Sequence, residues 1–322
     1  MKLVKNIKKI AEEVLLNEAR AIEGLIAYLD DQFVQSVETI LAMRGRVVVT
    51  GIGKSANIGN KLVATFNSTG TPALFMHAAD AIHGDLGMIQ QDDVVICISK
   101  SGNTEELKVL IPLIRQRSVP VISLVSNTDS YLARQSDYVL NATIGEEACP
   151  HNLAPTTSTT AHLALGDALA VALLESRGFT AEDFGRYHPG GSLGKRLYLT
   201  VDDLLHTEKP AVQPDTSVRE VIMEISSRRL GAAAVLNEDG KVAGIITDGD
   251  LRRMLERFED LRGIVAADIM SAQPRSVLPG TMAIEALELM QRHNITQLLV
   301  VNESETLKGF VHLHDFLKEG II

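Results

Sequence analysis

The sequence predicts an α/β fold: a doubly wound parallel sheet followed by a tandem α+β pair. Three observations carry that expectation. Apolar runs of strand length at 46–50, 73–76, 94–98, 120–125 and 138–140 alternate with amphipathic helical patterns, the signature of a parallel sheet. Two of these runs end in turns rich in Gly and Ser, Gly51-Ile52-Gly53-Lys54-Ser55 and Ser99-Lys100-Ser101-Gly102-Asn103-Thr104. Residues 203–322 repeat themselves. A shift of 65 residues lays Asp203-Leu204-Leu205 on Asp268-Ile269-Met270, Pro214 and Thr216 on Pro279 and Thr281, and Gly244 on Gly309 without a gap.

Taken in order, residues 4–30 read as a long amphipathic helix and 32–43 as a second, closed by Gly45. Helices that precede the first strand lie outside any strand–helix–strand crossover, so they cover the sheet or build a subunit interface; the interface is favoured. Strand 46–50 runs through the Gly-rich turn into a helix over 56–68. Thr71-Pro72 ends it, strand 73–76 follows, and 77–87 is a polar loop containing His83. Strand 94–98 leads through the serine turn into a helix over 103–117, with Leu107, Leu110, Ile111 and Ile114 on one face. Strand 120–125, a short helix at 129–136 and strand 138–140 complete the sheet. A loop from Glu146 to Pro155 opens on Thr156-Thr157-Ser158-Thr159-Thr160 and an apolar helix over 161–176. The Pro/Gly-rich segment 184–194 is expected to be irregular. Each repeat copy reads strand–helix–strand–strand–helix. The domains are expected at 1–200, 201–262 and 263–322.

Composition narrows the function. With 31 basic and 41 acidic residues the net charge is −10, which disfavours nucleic acid or an anionic membrane as partner. No uninterrupted apolar run reaches the roughly 20 residues of a membrane span. The charged N-terminus lacks a signal-peptide core. Cys97 in a strand and Cys149 in a loop form no metal or disulfide pattern, which fits a reducing compartment. The protein is expected to be cytoplasmic.

The stretch Asp93–Glu106 carries the chemistry. A buried strand that turns directly into a helix N-terminus offers unpaired amide N–H groups and the positive end of the helix dipole to an anion. Ser99, Ser101 and Thr104 add hydroxyls, and Gly102 lets the backbone approach, an arrangement suited to a phosphate monoester; an ordinary helix cap is the alternative. The turn at 51–55 matches neither GxxxxGK[ST] nor GxGxxG, yet it places Lys54 and Ser55 at a strand's carboxyl end, where ligands of such sheets bind. Five hydroxyl residues at 156–160 exceed what capping needs, so Thr156 and Thr157 are candidate ligand contacts, with a hydroxyl-rich buried helix start as the equal alternative.

The segments ISKSGNTEE, GIGKS, HGDLGM, EEACP, LAPTTSTTA and HPGGSLG together resemble the sugar-isomerase (SIS) domain of the arabinose 5-phosphate isomerases. GIITDGDLRR and GFVHLHDFL resemble paired cystathionine-β-synthase (CBS) motifs. The resemblance covers nearly the whole chain. It implies interconversion of D-arabinose 5-phosphate and D-ribulose 5-phosphate for synthesis of Kdo, the acidic sugar of lipopolysaccharide, by a cytoplasmic homotetramer that needs no organic cofactor. It places functional residues at Lys54, His83, Glu106, Glu147 and His188. One position departs from the family pattern: Asn103 stands where Glu is common.

Aldose–ketose isomerisation moves a proton between C1 and C2 through a cis-enediol and needs a base, a charge stabiliser and a ring-opening group. Glu147 is the first choice for the base and Glu106 its rival. His188, assisted by His83, serves ring opening, and Lys54 holds the substrate oxygens. Gly53, Ser55, Ser99, Ser101 and Thr104 bind the phosphate. No metal is required, but His83 and His188 could capture an inhibitory one. In the repeats, Thr247 and Asp250 are spaced as in CBS half-sites for a regulatory nucleotide or nucleotide-sugar, whereas the second copy has His312 for Thr and keeps Asp315. A non-catalytic phosphosugar sensor and an isomerase for another sugar phosphate or pathway are the alternatives. The sensor is disfavoured because the N-terminal helices lack a basic recognition face.

Overall fold

The computed structural model describes residues 7–321 and divides into two compact units between Phe184 and Gly185. The sequence-predicted start of the first helix, at residue 4, lies outside the described residues.

The first unit begins with α1 (Ile7–Leu25) and α2 (Asp31–Ala42). Asp30 starts α2 by accepting the Gln32 and Phe33 amides at 3.0 and 3.4 Å. The sheet and its helices follow as β1 (Val47–Gly51), α3 (Lys54–Ser68), β2 (Ala73–His77), α4 (Ala78–Ala81), β3 (Val94–Ser99), α5 (Glu105–Arg115), β4 (Val121–Val125), α6 (Tyr131–Gln135), β5 (Tyr138–Asn141) and α7 (Thr157–Ser176). All five strands are parallel, in the order β2-β1-β3-β4-β5.

Strand periodicity sorts the core into two layers. Val47, Val49, Ile96, Ile98, Ile122 and Leu124 face one way, with residues of α2, α3 and α7. Val48, Val95, Cys97, Val121 and Val125 face the other way, with α4, α5 and α6. Burial on both faces explains why these strands read as unbroken apolar runs. Of the two N-terminal helices, α2 covers the sheet, packing on β5 and α7, while α1 packs on α7 and leaves Ile7 and Leu15 about 75% and 68% exposed. The helix α7 is long and apolar enough to cross a bilayer by length and composition, which the search for uninterrupted apolar runs did not register. Its apolar character has a reason within the fold: it packs against α1, α2 and α3, and Ala161, Leu165, Leu169 and Leu173 are buried.

The boundary region corrects one expectation. Segment 184–194 is mostly helical: α8 (Ala181–Tyr187) and α9 (Ser192–Tyr198) leave only His188–Gly191 irregular. A Cβ on Gly194 would lie 2.2 Å from the His188 carbonyl oxygen, and one on Gly185 would lie 2.8 Å from Leu197 Cδ1. These glycines allow close packing at a tight corner; they are not helix breakers.

The second unit continues with β6 (Ala211–Val212), α10 (Val218–Arg228), β7 (Ala232–Leu236), β8 (Val242–Thr247), α11 (Asp248–Arg257), α12 (Ala266–Ile269), β9 (Ser271–Ala272), β10 (Ser276–Val277), α13 (Ala283–His293), β11 (Gln297–Val301), β12 (Leu307–His312) and α14 (Leu313–Lys318). The 65-residue shift carries β6 onto β10, α10 onto α13, β7 onto β11 and β8 onto β12, bounds included. Both helices end on a left-handed residue, Arg229 or Asn294, and both hairpins carry a bulge at the same place.

The two copies are not independent. Strand β9, which opens the second copy, pairs with β8 of the first, and His206, which precedes β6, pairs with Phe310 in β12 of the second. Each copy's leading segment thus completes the other's sheet. Leu230, Ala232, Ala234 and Ile245 pack against Leu299, Leu307 and Phe310 between them.

Candidate active site

The strand order β2-β1-β3 reverses direction at β1, so the crevice outside the carboxyl ends of β1 and β3 is the sheet's switch point. Gly51 and Ile98 are in register, and the turns after them leave the sheet side by side. Gly53 has φ 57° and ψ −127°, a conformation open in practice only to glycine, and it delivers Lys54 and Ser55 as the first residues of α3. Lys54 is exposed and Ser55 half-buried. His83 lies in the turn beyond β2 and α4 and is exposed.

The serine turn after β3 is held rigidly. The Gly102 amide donates to Ser99 Oγ at 3.1 Å, and that hydroxyl lies 3.2 Å from Thr104 Oγ1. The Leu132 amide donates to the Gly102 carbonyl, and the Tyr131 amide to Asn103 Oδ1 at 3.0 Å. Thr104 caps α5 by backbone conformation, with no side-chain hydrogen bond to the helix. Ser101 is exposed and Glu106, in the first turn of α5, is half-buried. The sequence-selected Lys54, His83 and Glu106 therefore stand at the carboxyl edge of three adjacent strands. His188 belongs to the second unit, in the corner between α8 and α9.

Glu147 stands apart from these. Its carboxylate is buried at the start of α7, where Oε2 accepts the Thr156 and Ser158 amides at 2.9 and 3.0 Å and Oε1 accepts the Ser158 hydroxyl at 2.5 Å. Lys100 Nζ, 41% exposed in its side chain, pairs with Oε1 at 2.7 Å. Burial alone would raise the carboxyl pKa; the Lys100 ammonium, the Ser158 hydroxyl and the two amides outweigh it and hold it at about 2. An acid this strong, with both oxygens engaged, is a poor general base at neutral pH. The geometry thus argues against Glu147 as the C1–C2 base; its rival Glu106 stands half-buried in the first turn of α5.

Thr156 and Thr157 have partners within the chain. Both hydroxyls accept the Ala148 amide, and Thr157, which is buried, donates to Asn17 Oδ1 of α1 at 2.6 Å. Thr160 donates to Glu18 at 3.1 Å. The hydroxyl run ties the 146–156 loop and α1 to the helix start.

Sequence reasoning missed Lys100, Ser158 and His162. Lys100 carried a signal, as the one cation between two candidate phosphate-binding serines. His162 carried none: it lies on the apolar face of α7 one turn beyond Ser158, fully buried, and neither ring nitrogen has a hydrogen-bond partner among the described residues. Desolvation pushes its pKa down to about 4, with Glu147 raising it and Lys100 lowering it. In the same loop the amides of Ala154, His151 and Leu153 lower the Cys149 pKa, whereas burial pushes Cys97 up to about 12. No group of three or more His, Cys, Asp or Glu among the described residues is arranged to hold a metal ion.

Comparison with known proteins bears on the domain organisation along the chain. Residues 40–172 match the SIS domain, and 201–257 and 265–321 each match the CBS domain. The chain is 47% identical to arabinose 5-phosphate isomerase KdsD of Pseudomonas aeruginosa over 314 residues, covering 97% of this chain and 96% of that protein. The chain belongs to the arabinose 5-phosphate isomerase family. The corresponding protein of Escherichia coli K12 is 44% identical over 319 residues, 98% of this chain and 97% of its own length. Among solved structures, E. coli CFT073 c3406 in complex with arabinose 5-phosphate superposes with a TM-score of 0.56 at 40% identity, over 58% of this chain and all of that one. The isomerase fold and the paired CBS modules of this family are those described above.

Proposed function

We propose that this protein interconverts D-arabinose 5-phosphate and D-ribulose 5-phosphate through a cis-enediol and so supplies Kdo and lipopolysaccharide biosynthesis. The observation that carries this reading is the rigid serine turn at the sheet's switch point, within a chain alike to isomerases along its full length. The α5 N-terminus with Ser99, Ser101, Thr104 and Ser55 receives the phosphate. Lys54 holds the oxygens that gain negative charge in the enediol. Glu106 removes and returns the C1–C2 proton, and His83 serves ring opening. Glu147 holds Lys100 as a fixed crevice cation and braces the start of α7. The site's own chemistry needs no organic cofactor.

The unpaired Cys97 and Cys149 support a cytoplasmic setting, and the exposed apolar residues of α1 support assembly into a homotetramer. In the first repeat Thr247 and Asp250 line a cavity of about 520 Å³ together with Arg252, Arg253 and Arg275, which supports a regulatory nucleotide or nucleotide-sugar there.

The test is turnover of arabinose 5-phosphate to ribulose 5-phosphate by the pure enzyme, with Glu106→Gln alongside. Loss of a base of this kind lowers kcat by about 10²–10⁴ while substrate still binds. Undiminished turnover in that variant moves the base to a histidine; tight phosphosugar binding without any turnover by the wild-type protein removes the enzyme reading.

A further inference from the structure

The serine turn after β3 sits between two helix starts. It leads into α5 through Thr104, and it also fills the N-terminus of α6, whose first amides need acceptors from outside the helix. The Leu132 amide donates to the Gly102 carbonyl at 3.0 Å, the Tyr131 amide to Asn103 Oδ1 at 3.0 Å, and the Ala133 amide to Ser130 Oγ at 3.3 Å. Gly102 admits this close approach: its φ is 61°, and a Cβ there would collide with Ser130 Oγ.

Asn103 also reaches back into the turn. Its Nδ2 donates to the Ser101 carbonyl at 3.1 Å, and its backbone amide donates to Ser101 Oγ at 3.3 Å. The partners fix which end of the side-chain amide is which, because the Tyr131 N–H can only donate and the Ser101 carbonyl can only accept. One residue earlier, the Lys100 carbonyl accepts the Ser126 amide at 3.1 Å. Three successive carbonyls, those of Lys100, Ser101 and Gly102, are therefore engaged. Two of their donors, Ser126 and Leu132, follow β4, which flanks β3 on the side opposite β1 and its crevice. The Ser101 hydroxyl has the reverse part. It accepts from the chain, so its own proton remains to donate.

A phosphate dianion makes both features count, since a carbonyl oxygen facing it repels and a hydroxyl proton attracts. We infer that Asn103 is a positioning residue for phosphate recognition and acts through Ser101: it engages that residue's carbonyl and leaves its hydroxyl as a donor to the phosphate. This rests on the reading that the serine turn receives the substrate's phosphate. The task needs a neutral side chain with one acceptor end and one donor end. An aspartate keeps the acceptor for Tyr131 but sets a carboxylate oxygen against the Ser101 carbonyl and beside the phosphate. An alanine gives up both contacts, and at this exposed position water can satisfy the freed groups.

Steady-state kinetics of the full-length enzyme with arabinose 5-phosphate, with inorganic phosphate as a competitive probe and urea unfolding alongside, tests this. Asn103→Ala should raise KM about three- to fivefold with kcat within about twofold, weaken inhibition by phosphate by the same factor, and leave the unfolding midpoint unchanged. Asn103→Asp should raise KM about tenfold or more, because it adds repulsion to the lost donor. Adding Asn103→Ala to Ser101→Ala should raise KM no further, since the one acts through the other. KM factors that multiply in the double variant, or an Asn103→Ala protein with a lowered midpoint and unchanged KM, overturn the proposal. An unchanged KM in Ser101→Ala overturns it together with the reading of the turn as the phosphate site. A wild-type protein that binds phosphate but does not turn over the sugar, with weaker phosphate binding in each single variant and no further loss in the double, supports the proposal while removing the isomerase reading.

Discussion

Helices α5 and α7 both begin beside the crevice, and they use their N-termini in opposite ways. The start of α7 is filled from within: Glu147 brings its own carboxylate to the Thr156 and Ser158 amides and is neutralised by Lys100. The start of α5 has Glu105 and Glu106 in its first turn, but its N-cap, Thr104, makes no side-chain capping hydrogen bond. Its turn is braced by Ser99, Thr104 and the Gly102 amide, and Ser101 remains exposed. The same electrostatic feature serves stability in one place and is presented to a ligand in the other. What separates them is whether a side chain of the protein caps the helix itself.

The largest effect that sharpens this contrast is at the filled end. Replacing Glu147 by Gln leaves Lys100 without its partner and turns an amide group toward the backbone donors it once accepted. A loss of about 3 kcal/mol in unfolding free energy is expected, the low end for a broken buried pair because Lys100 is partly exposed. A cycle of Lys100→Met, Glu147→Gln and the double variant should give a coupling of about 1.5–3 kcal/mol by denaturant unfolding. A coupling near zero would mean that the pair is a surface contact and that Glu147 does not fill the α7 end.

The next effect is on pH dependence. Glu147 has its folded pKa depressed from about 4.5 to about 2, and His162 has its own lowered from about 6.5 to about 4. In both cases the unfolded chain binds the proton first, so stability falls on acidification: through His162 between about pH 6.5 and 4, and through Glu147 between about 4.5 and 2. Each full shift corresponds to about 3 kcal/mol at most. His162→Leu should flatten the upper window and leave the lower one, as read from urea midpoints across pH. A wild-type profile already flat between pH 6.5 and 4 would remove His162 from this account.

These particulars show where sequence reasoning reaches and where it stops. The five strands were legible because burial on both faces makes them continuous apolar runs, and the repeat was legible because its 65-residue shift needs no insertion. Segment 184–194 was misread because a glycine that admits a neighbouring backbone looks, in sequence, like one that ends a helix. The exchange of leading strands between repeats left no local trace, since pairing partners are set by tertiary context. In the site, Lys54, His83 and Glu106 could be placed because strand–turn–helix order puts them at one sheet edge. The role of Glu147 could not, because the groups that acidify it come from Lys100, 47 positions upstream, and from the first turn of α7. His162 was invisible because a histidine on an apolar helix face carries no pattern.

The most direct test of the contrast uses one residue type at both ends. Ser158 donates to Glu147 in the filled N-terminus, and Ser101 stands exposed in the open one. Ser158→Ala removes a charge-assisted hydrogen bond and should cost about 1.5–3 kcal/mol of stability, with the KM for arabinose 5-phosphate little changed. Ser101→Ala should leave the unfolding midpoint where it was and raise KM about five- to tenfold, the loss of one hydroxyl from a phosphate cradle. If Ser101→Ala instead destabilised the fold with KM intact, the turn after β3 would be a structural brace like its counterpart, and the phosphate would have to be sought at the turn after β1, on Lys54 and Ser55.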